Sequence, residues 1–215
     1  MKSIGILTSG GLDSAALMGH YLDHGYMVHP IYIGCGLRWE KAEVYWVKKF
    51  LKTIGNKNVQ PLKRAFLLLE DAYEKNWSQR GITPGTKSPN KSVFLPARNL
   101  LLVIKSLLVL HTKNVHELAI GTLLGNPFKD GTPAYFQNLE RLMSQSFDMK
   151  IKLHVPFRHK KKNELIAKFS HYPLYLSFSC VNPHGHQHCG KCNKCAERKR
   201  AFKTAGQADL TLYQS

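Results

Sequence analysis

Residues 9–14 read Ser-Gly-Gly-Leu-Asp-Ser, with the apolar run Ile4–Thr8 directly before them and the helix-like stretch Ala15–Leu22 directly after. A strand, a glycine turn and a helix in that order make an anion site. Gly10 and Gly11 let the backbone turn with no Cβ in the way, so successive amides can face phosphate oxygens. The following helix adds its unpaired N-terminal amides and its positive dipole end. Ser9 and Ser14 offer hydroxyl donors, and Leu12 offers its amide. Asp13 would repel a bare phosphate and calls for a Mg²⁺ ion between the two. The implied ligand is a metal-bound pyrophosphate. The plainer alternative is an N-capped helix after a tight turn, with Ser9 or Asp13 as the cap.

Beyond this turn the chain alternates strand-like and helix-like segments. Strand candidates are 4–8, 27–33, 59–62, 115–120 and 150–155, and helix candidates are 14–24, 39–54, 65–76, 99–111, 134–147 and 162–169. Such alternation predicts an α/β fold, a doubly wound and mostly parallel sheet, with ligands at the carboxyl ends of its strands. Residues 78–92 are rich in Pro, Gly, Ser and Lys and read as a long loop or lid. After the loop, Pro96 is expected to open a helix whose first turn carries Arg98 and Asn99, placing Arg98 beside the phosphate site as a charge neutraliser. No run of 18 apolar residues occurs and Met1 leads straight into the first strand, so a cytoplasmic protein is the expectation. The formal net charge is +17, from 31 Lys and Arg against 14 Asp and Glu. That excess fits an RNA partner, anionic substrates or a solvated basic surface, and the spread of the basic residues favours none of them.

Four of the five cysteines, Cys180, Cys189, Cys192 and Cys195, have the spacing C-x8-C-x2-C-x2-C. Thiolates at that period can close a tetrahedral shell around one ion, and four sulfurs leave no open position, so a structural Zn²⁺ is predicted. A helix over 196–205 would start at the last ligand. His184, His186 and His188, between the first two cysteines, are expected to be exposed loop residues. Cys35 stands alone and reads as a packed side chain. These features divide the chain into an ATP-binding α/β domain, residues 1–170, and a zinc-binding segment, residues 171–215, packed on it.

The loop Ser9–Ser14 resembles that of the pyrophosphate-loop ATPases at every fixed position of their signature, which implies ATP cleavage between the α and β phosphates and an adenine nucleotide alpha hydrolase-like fold. Taken with the cysteine cluster, with Pro96-Ala97-Arg98-Asn99, with Pro156 and Lys162-Asn163-Glu164, and with Arg198, Ala201-Phe202, Ala205-Gly206 and Asp209-Leu210-Thr211-Leu212-Tyr213, the chain resembles the 7-cyano-7-deazaguanine synthase family over essentially its full length. One stretch departs. The family runs Gly-x-Asn-x-x-Asp and then Tyr-Pro-Asp-Cys-Arg-Pro-Glu-Phe, whereas here Asp130, Pro133 and Tyr135 fit, Gly131 and Thr132 replace Cys and Arg, and residues 121–135 are about two residues short.

The resemblance implies conversion of 7-carboxy-7-deazaguanine, ATP and ammonia to the nitrile through adenylated acid and amide intermediates. It also implies a homodimer. The loop 9–14 would hold pyrophosphate, Asp13 would anchor Mg²⁺, Arg98 or Lys162 would neutralise developing charge, and Asp130 with Asn99 would bind the guanine-like edge. Two other functions stand beside this one. One is a paralog that adenylates a deazaguanine-like carboxylate and joins it to another amine or a macromolecule; the other is a zinc-knuckle RNA-binding protein with a vestigial ATP site.

Overall fold

The strands Ser3–Leu7 (β1), Met27–Gly34 (β2), Lys63–Phe66 (β3), Glu117–Ala119 (β4) and Lys152–His154 (β5) pair in parallel in the order β3-β2-β1-β4-β5 in this computed structural model, which describes residues 1–69, 73, 78 and 83–214. Winding reverses at β1. From there the chain builds outward through β2 and β3 on one side and β4 and β5 on the other, which opens a crevice at the carboxyl ends of β1 and β4.

Six α-helices are described: Leu12–Asp23 (α1), Glu40–Ile54 (α2), Arg98–His111 (α3), Pro133–Ser146 (α4), Lys162–Lys168 (α5) and Asn193–Thr204 (α6). Each sheet face is covered by its own apolar cluster. On one face Ile4, Ile6 and Val28 meet Leu17 of α1, Phe50 of α2, Leu165 of α5 and Phe202 of α6. On the other, Ile31, Leu118 and Leu153 meet Leu107 of α3 and Phe136 and Met143 of α4. Side chains alternate between sheet faces along a strand, so a nearly continuous apolar strand such as β1 or β2 needs helices on both faces. The doubly wound α/β architecture follows from that requirement.

Two boundaries differ from the sequence reading. The third strand is Lys63–Phe66 and not 59–62; Val59 makes an isolated parallel bridge to Val28 just before it. Ala65 and Phe66 therefore belong to a strand, not to the expected helix 65–76, the remainder of which falls largely outside the described residues. Alternation over Lys63–Phe66 is masked by charge, because this edge strand is mostly exposed. The loop expected at 78–92 lies partly outside the described residues, and its end is a short 3₁₀ turn, Asn90–Val93. Among the described residues no helix is long and apolar enough to cross a membrane.

The C-terminal segment is joined to the sheet core by packing and is braced from within by one arginine. Phe178 and the four cysteines belong to the same apolar cluster as α3 and α4. Arg198 is 1% exposed and donates from Nε to Thr211 Oγ1 at 2.7 Å, from Nη1 to Ser177 Oγ at 2.8 Å and from Nη2 to the Leu174 carbonyl at 3.1 Å.

Candidate active site

The turn after β1 leads directly into the crevice. Gly10 has φ +75°, and a Cβ there would stand 2.9 Å from Val47 Cγ2 and 3.0 Å from the Glu43 carbonyl, so both conformation and space require glycine. Phe178 N donates to the Gly10 carbonyl at 2.6 Å and ties the turn to the C-terminal segment. The helix N-cap is Gly11, with no side-chain cap, in place of the Ser9 or Asp13 cap of the plainer alternative. The first-turn amides of α1 are thus left without helical or capping partners. Ser14 is buried and turned inward, donating to the Gly11 carbonyl at 2.9 Å, while Ser9 Oγ accepts from Gly11 N at 3.3 Å.

Two adjoining clefts share Asp13, Gly121 and Thr122. The first, of about 190 Å³, runs over the ends of β1 and β2 and is lined by Ser9, Tyr32, Ile33, Arg98, Asn99 and Leu102 among others. The second, of about 280 Å³, lies between the 121–128 loop and Lys161, Lys162, Lys194 and Glu197. Asp13 sits where they meet. Its Oδ2 is 3.5 Å from Lys162 Nζ, and its buried Oδ1 has no partner. Burial pushes the Asp13 carboxyl up from its ordinary value, with Lys162 opposing. An unpartnered, desolvated carboxylate oxygen beside free helix amides is a donor that would suit a Mg²⁺ ion. Lys162 occupies the first position of α5, where Lys161 N donates to Glu164 Oε2 and fixes the helix start. Burial alone would lower the Lys162 ammonium, but Asp13 and Glu197 outweigh it and raise it.

Arg98 opens α3, as expected, but Pro96 does not. Ala97 is the N-cap and takes φ +55°, a left-handed conformation that costs a non-glycine residue roughly 1–2 kcal/mol. Arg98 Nε is buried without a partner. Next to it, Asn99 N donates to Asp130 Oδ2 at 3.4 Å and Asn99 Nδ2 to the Asp130 carbonyl at 3.1 Å, so the two expected base-binding residues touch. Asp130 Oδ1 remains buried and unpartnered. The altered residues beside it have local causes. A Cβ on Gly131 would stand 2.6 Å from Asn126 Nδ2, and Thr132 caps α4 by accepting from Tyr135 N at 3.3 Å.

Sequence reasoning missed Lys194, Glu197 and Glu43. Glu197 is the single acidic residue of the basic run 193–204, and that isolation was the available signal. Glu43 Oε2 accepts from Tyr32 Oη at 2.6 Å inside the first cleft, and burial pushes its carboxyl up to about 8. Nothing in the sequence distinguishes Glu43 from the exposed acids of an amphipathic helix.

The four cysteines are all buried and their sulfurs lie within 4.8 Å of one another. Cys180 and Cys192 Sγ are 3.9 Å apart, and Cys192 and Cys195 Sγ 3.5 Å. Sulfurs around a tetrahedral Zn²⁺ at about 2.3 Å stand about 3.8 Å from one another, so the set fits that ion. Amides of Asn182 and Cys189 point at Cys180 Sγ, that of Lys191 at Cys189 Sγ and that of Cys195 at Cys192 Sγ, a second shell suited to thiolates. The last helix starts with Cys192 as its N-cap, one ligand earlier than the sequence reading had it. His184 and His186 are exposed as expected, whereas His188 is buried and accepts from Ser179 N at 3.1 Å. Cys35 is buried, and desolvation pushes its thiol up to about 11, in keeping with a packed residue.

A family model described as queuosine biosynthesis protein QueC matches residues 3–206. The 7-cyano-7-deazaguanine synthase of Methanocaldococcus jannaschii is 28% identical over 231 residues, covering 99% of both chains. That of Methanococcus aeolicus is 30% identical over 234 residues, again covering 99% of both. Among solved structures, a predicted subunit of tRNA methyltransferase from Methanocaldococcus jannaschii superposes with TM-score 0.52 at 18% identity, over 100% of this chain and 93% of that one. A 4-thiouridine synthetase in complex with RNA and bound ATP gives 0.51 at 15% identity, over 95% of this chain and 50% of that one. These two likenesses are of fold.

Proposed function

The chain belongs to the queuosine biosynthesis protein QueC family, and we propose that it is an ATP-dependent carbon–nitrogen ligase converting 7-carboxy-7-deazaguanine and ammonia to 7-cyano-7-deazaguanine. The observation that carries this reading is the crevice at the β1 and β4 ends, where Asp13 Oδ1 is buried without a partner and Arg98 and Lys162 supply the positive charge; Asp130, hydrogen-bonded to Asn99 at the edge of the first cleft, likewise keeps Oδ1 buried and unpartnered. Unpaired buried polar groups mark places that a ligand completes. Full-length relatives named for this reaction support the substrate, and neither the conjugating paralog nor the RNA-binding reading draws support from them.

A carboxylate is a poor electrophile, so ATP is spent on turning its oxygen into a leaving group. The amides of the 9–14 turn, with Ser9 and the dipole of α1, hold the pyrophosphate portion of ATP. Asp13 would hold Mg²⁺, which would neutralise phosphate charge there. Lys162 and Arg98 stabilise the negative charge that develops as the α–β bond breaks. Asp130 accepts hydrogen bonds from the ring N–H and exocyclic amine of the deazaguanine, held in place by Asn99. Ammonia then displaces AMP to give the amide, and a second activation of the amide oxygen allows loss of that oxygen to leave the nitrile. The four thiolates would hold a structural Zn²⁺, which would organise residues 171–215 against the ATP-binding part, residues 1–170. A cytoplasmic homodimer is the form in which the protein is expected to act. Chromatography of nucleotides tests the reading: AMP should appear only when acid and ATP are both present, and AMP release independent of the acid would count against it.

A further inference from the structure

The lysine-lined cleft contains an ion-pair chain of which the reaction above uses only Asp13 and Lys162. Lys162 Nζ lies 2.6 Å from Glu197 Oε1 and 3.5 Å from Asp13 Oδ2, and Lys194 Nζ lies 2.9 Å from Glu197 Oε2. One carboxylate thus engages two lysines, one with each oxygen. Lys194 sits between the zinc-ligand positions Cys192 and Cys195 on the first turn of α6, so the cysteine cluster fixes the rotation that aims Lys194 and Glu197 at Asp13. The opposite wall is the 121–128 loop, tied down by Leu124 N donating to the Lys160 carbonyl at 3.0 Å.

We propose that Lys194 and Glu197, delivered by the cysteine-bound helix, complete the subsite for the departing pyrophosphate. In this arrangement Glu197 stands in for phosphate. It keeps the Lys162 and Lys194 ammonium groups oriented in the free protein, and gives them up when phosphate oxygens arrive. Ordering two flexible lysines beforehand removes an entropy cost from anion binding. The inference rests on the reading that ATP is split between its α and β phosphates.

The two residues then have effects of opposite sign, which a merely structural role would not produce. Lys194→Ala removes a charged donor and should weaken magnesium pyrophosphate binding about tenfold, whereas Glu197→Gln keeps an amide oxygen to orient a lysine, removes only the competing negative charge and should tighten binding severalfold. Lys194→Arg should stay near the parent, and Lys194→Gln serves where the alanine variant does not fold. The measurement is calorimetric titration of magnesium pyrophosphate into the zinc-loaded full chain, with AMP titrated alongside and zinc content checked in each variant. Unchanged pyrophosphate affinity in Lys194→Ala and Lys194→Gln, or a weakening in Glu197→Gln as well, overturns the proposal. A parent protein that forms no AMP from ATP and acid fails the reading of the reaction instead, and the pyrophosphate titration still judges the subsite separately.

Discussion

Arg198→Met removes the guanidinium that braces the C-terminal segment from within, tying α6 to residues 174–177 and 209–211. The side chain is 1% exposed, donates to Thr211, Ser177 and the Leu174 carbonyl, lies 3.6 Å from Asp209 Oδ1 and covers the Phe202 ring at 4.9 Å. Methionine keeps much of the apolar stem over Phe202 but leaves the acceptors and Asp209 without the charge they faced. Breaking a buried charged network by removing one partner costs about 3–5 kcal/mol, and the stability of an ordinary domain is about 5–15 kcal/mol. With an m-value of about 2 kcal/mol/M in urea, the unfolding midpoint of the zinc-loaded protein should fall by about 2 M. Lysine should rescue little, because one ammonium cannot meet acceptors arranged for a planar fork. A loss under about 1 kcal/mol at unchanged m would refute the assignment of Arg198 as the internal brace of this segment.

Three further outcomes follow from the same geometry. Asp13→Asn should abolish acid-dependent AMP release while leaving the circular dichroism spectrum and melting temperature near the parent's; full activity in a folded variant would remove the Mg²⁺ assignment. Cys192→Ser should lose both bound zinc, read by elemental analysis, and thermal stability, and full zinc occupancy in that variant would contradict the four-sulfur site. Glu43 is raised by burial to about 8 in the folded protein, above its unfolded value, so its contribution to stability is present at low pH and lost as pH rises through about 8. Relative to Glu43→Gln, the parent should therefore weaken by a few kcal/mol between about pH 5 and 9; parallel stability curves would show that Glu43 ionises freely.

What was legible in the sequence was whatever a short stretch of chain dictates for itself. The Ser9–Ser14 turn carries its own glycines, and Cys189, Cys192 and Cys195 lie within seven residues of one another, so both sites could be read before their surroundings were known. The sheet order was less accessible, because Lys63–Phe66 pairs with β2 through its backbone while its side chains face solvent. Glu43, Lys194 and Glu197 belong to no local motif. They became visible only when α2 and α6 were packed around Asp13, since an ion pair such as Lys162–Glu197 joins residues far apart in sequence. Gly131 and Thr132 show the converse. As a sequence they stood out only as a departure from the family pattern, whereas the structure gives each a local role, one in the close approach to Asn126 and the other as the cap of α4.

The most direct test is mass spectrometry of the products formed by the zinc-loaded protein from Mg·ATP, ¹⁵N-ammonium and 7-carboxy-7-deazaguanine. The nitrile should appear carrying ¹⁵N, together with AMP and pyrophosphate. Recovery of the acid unchanged, from protein that binds ATP in the crevice, would contradict the proposed reaction.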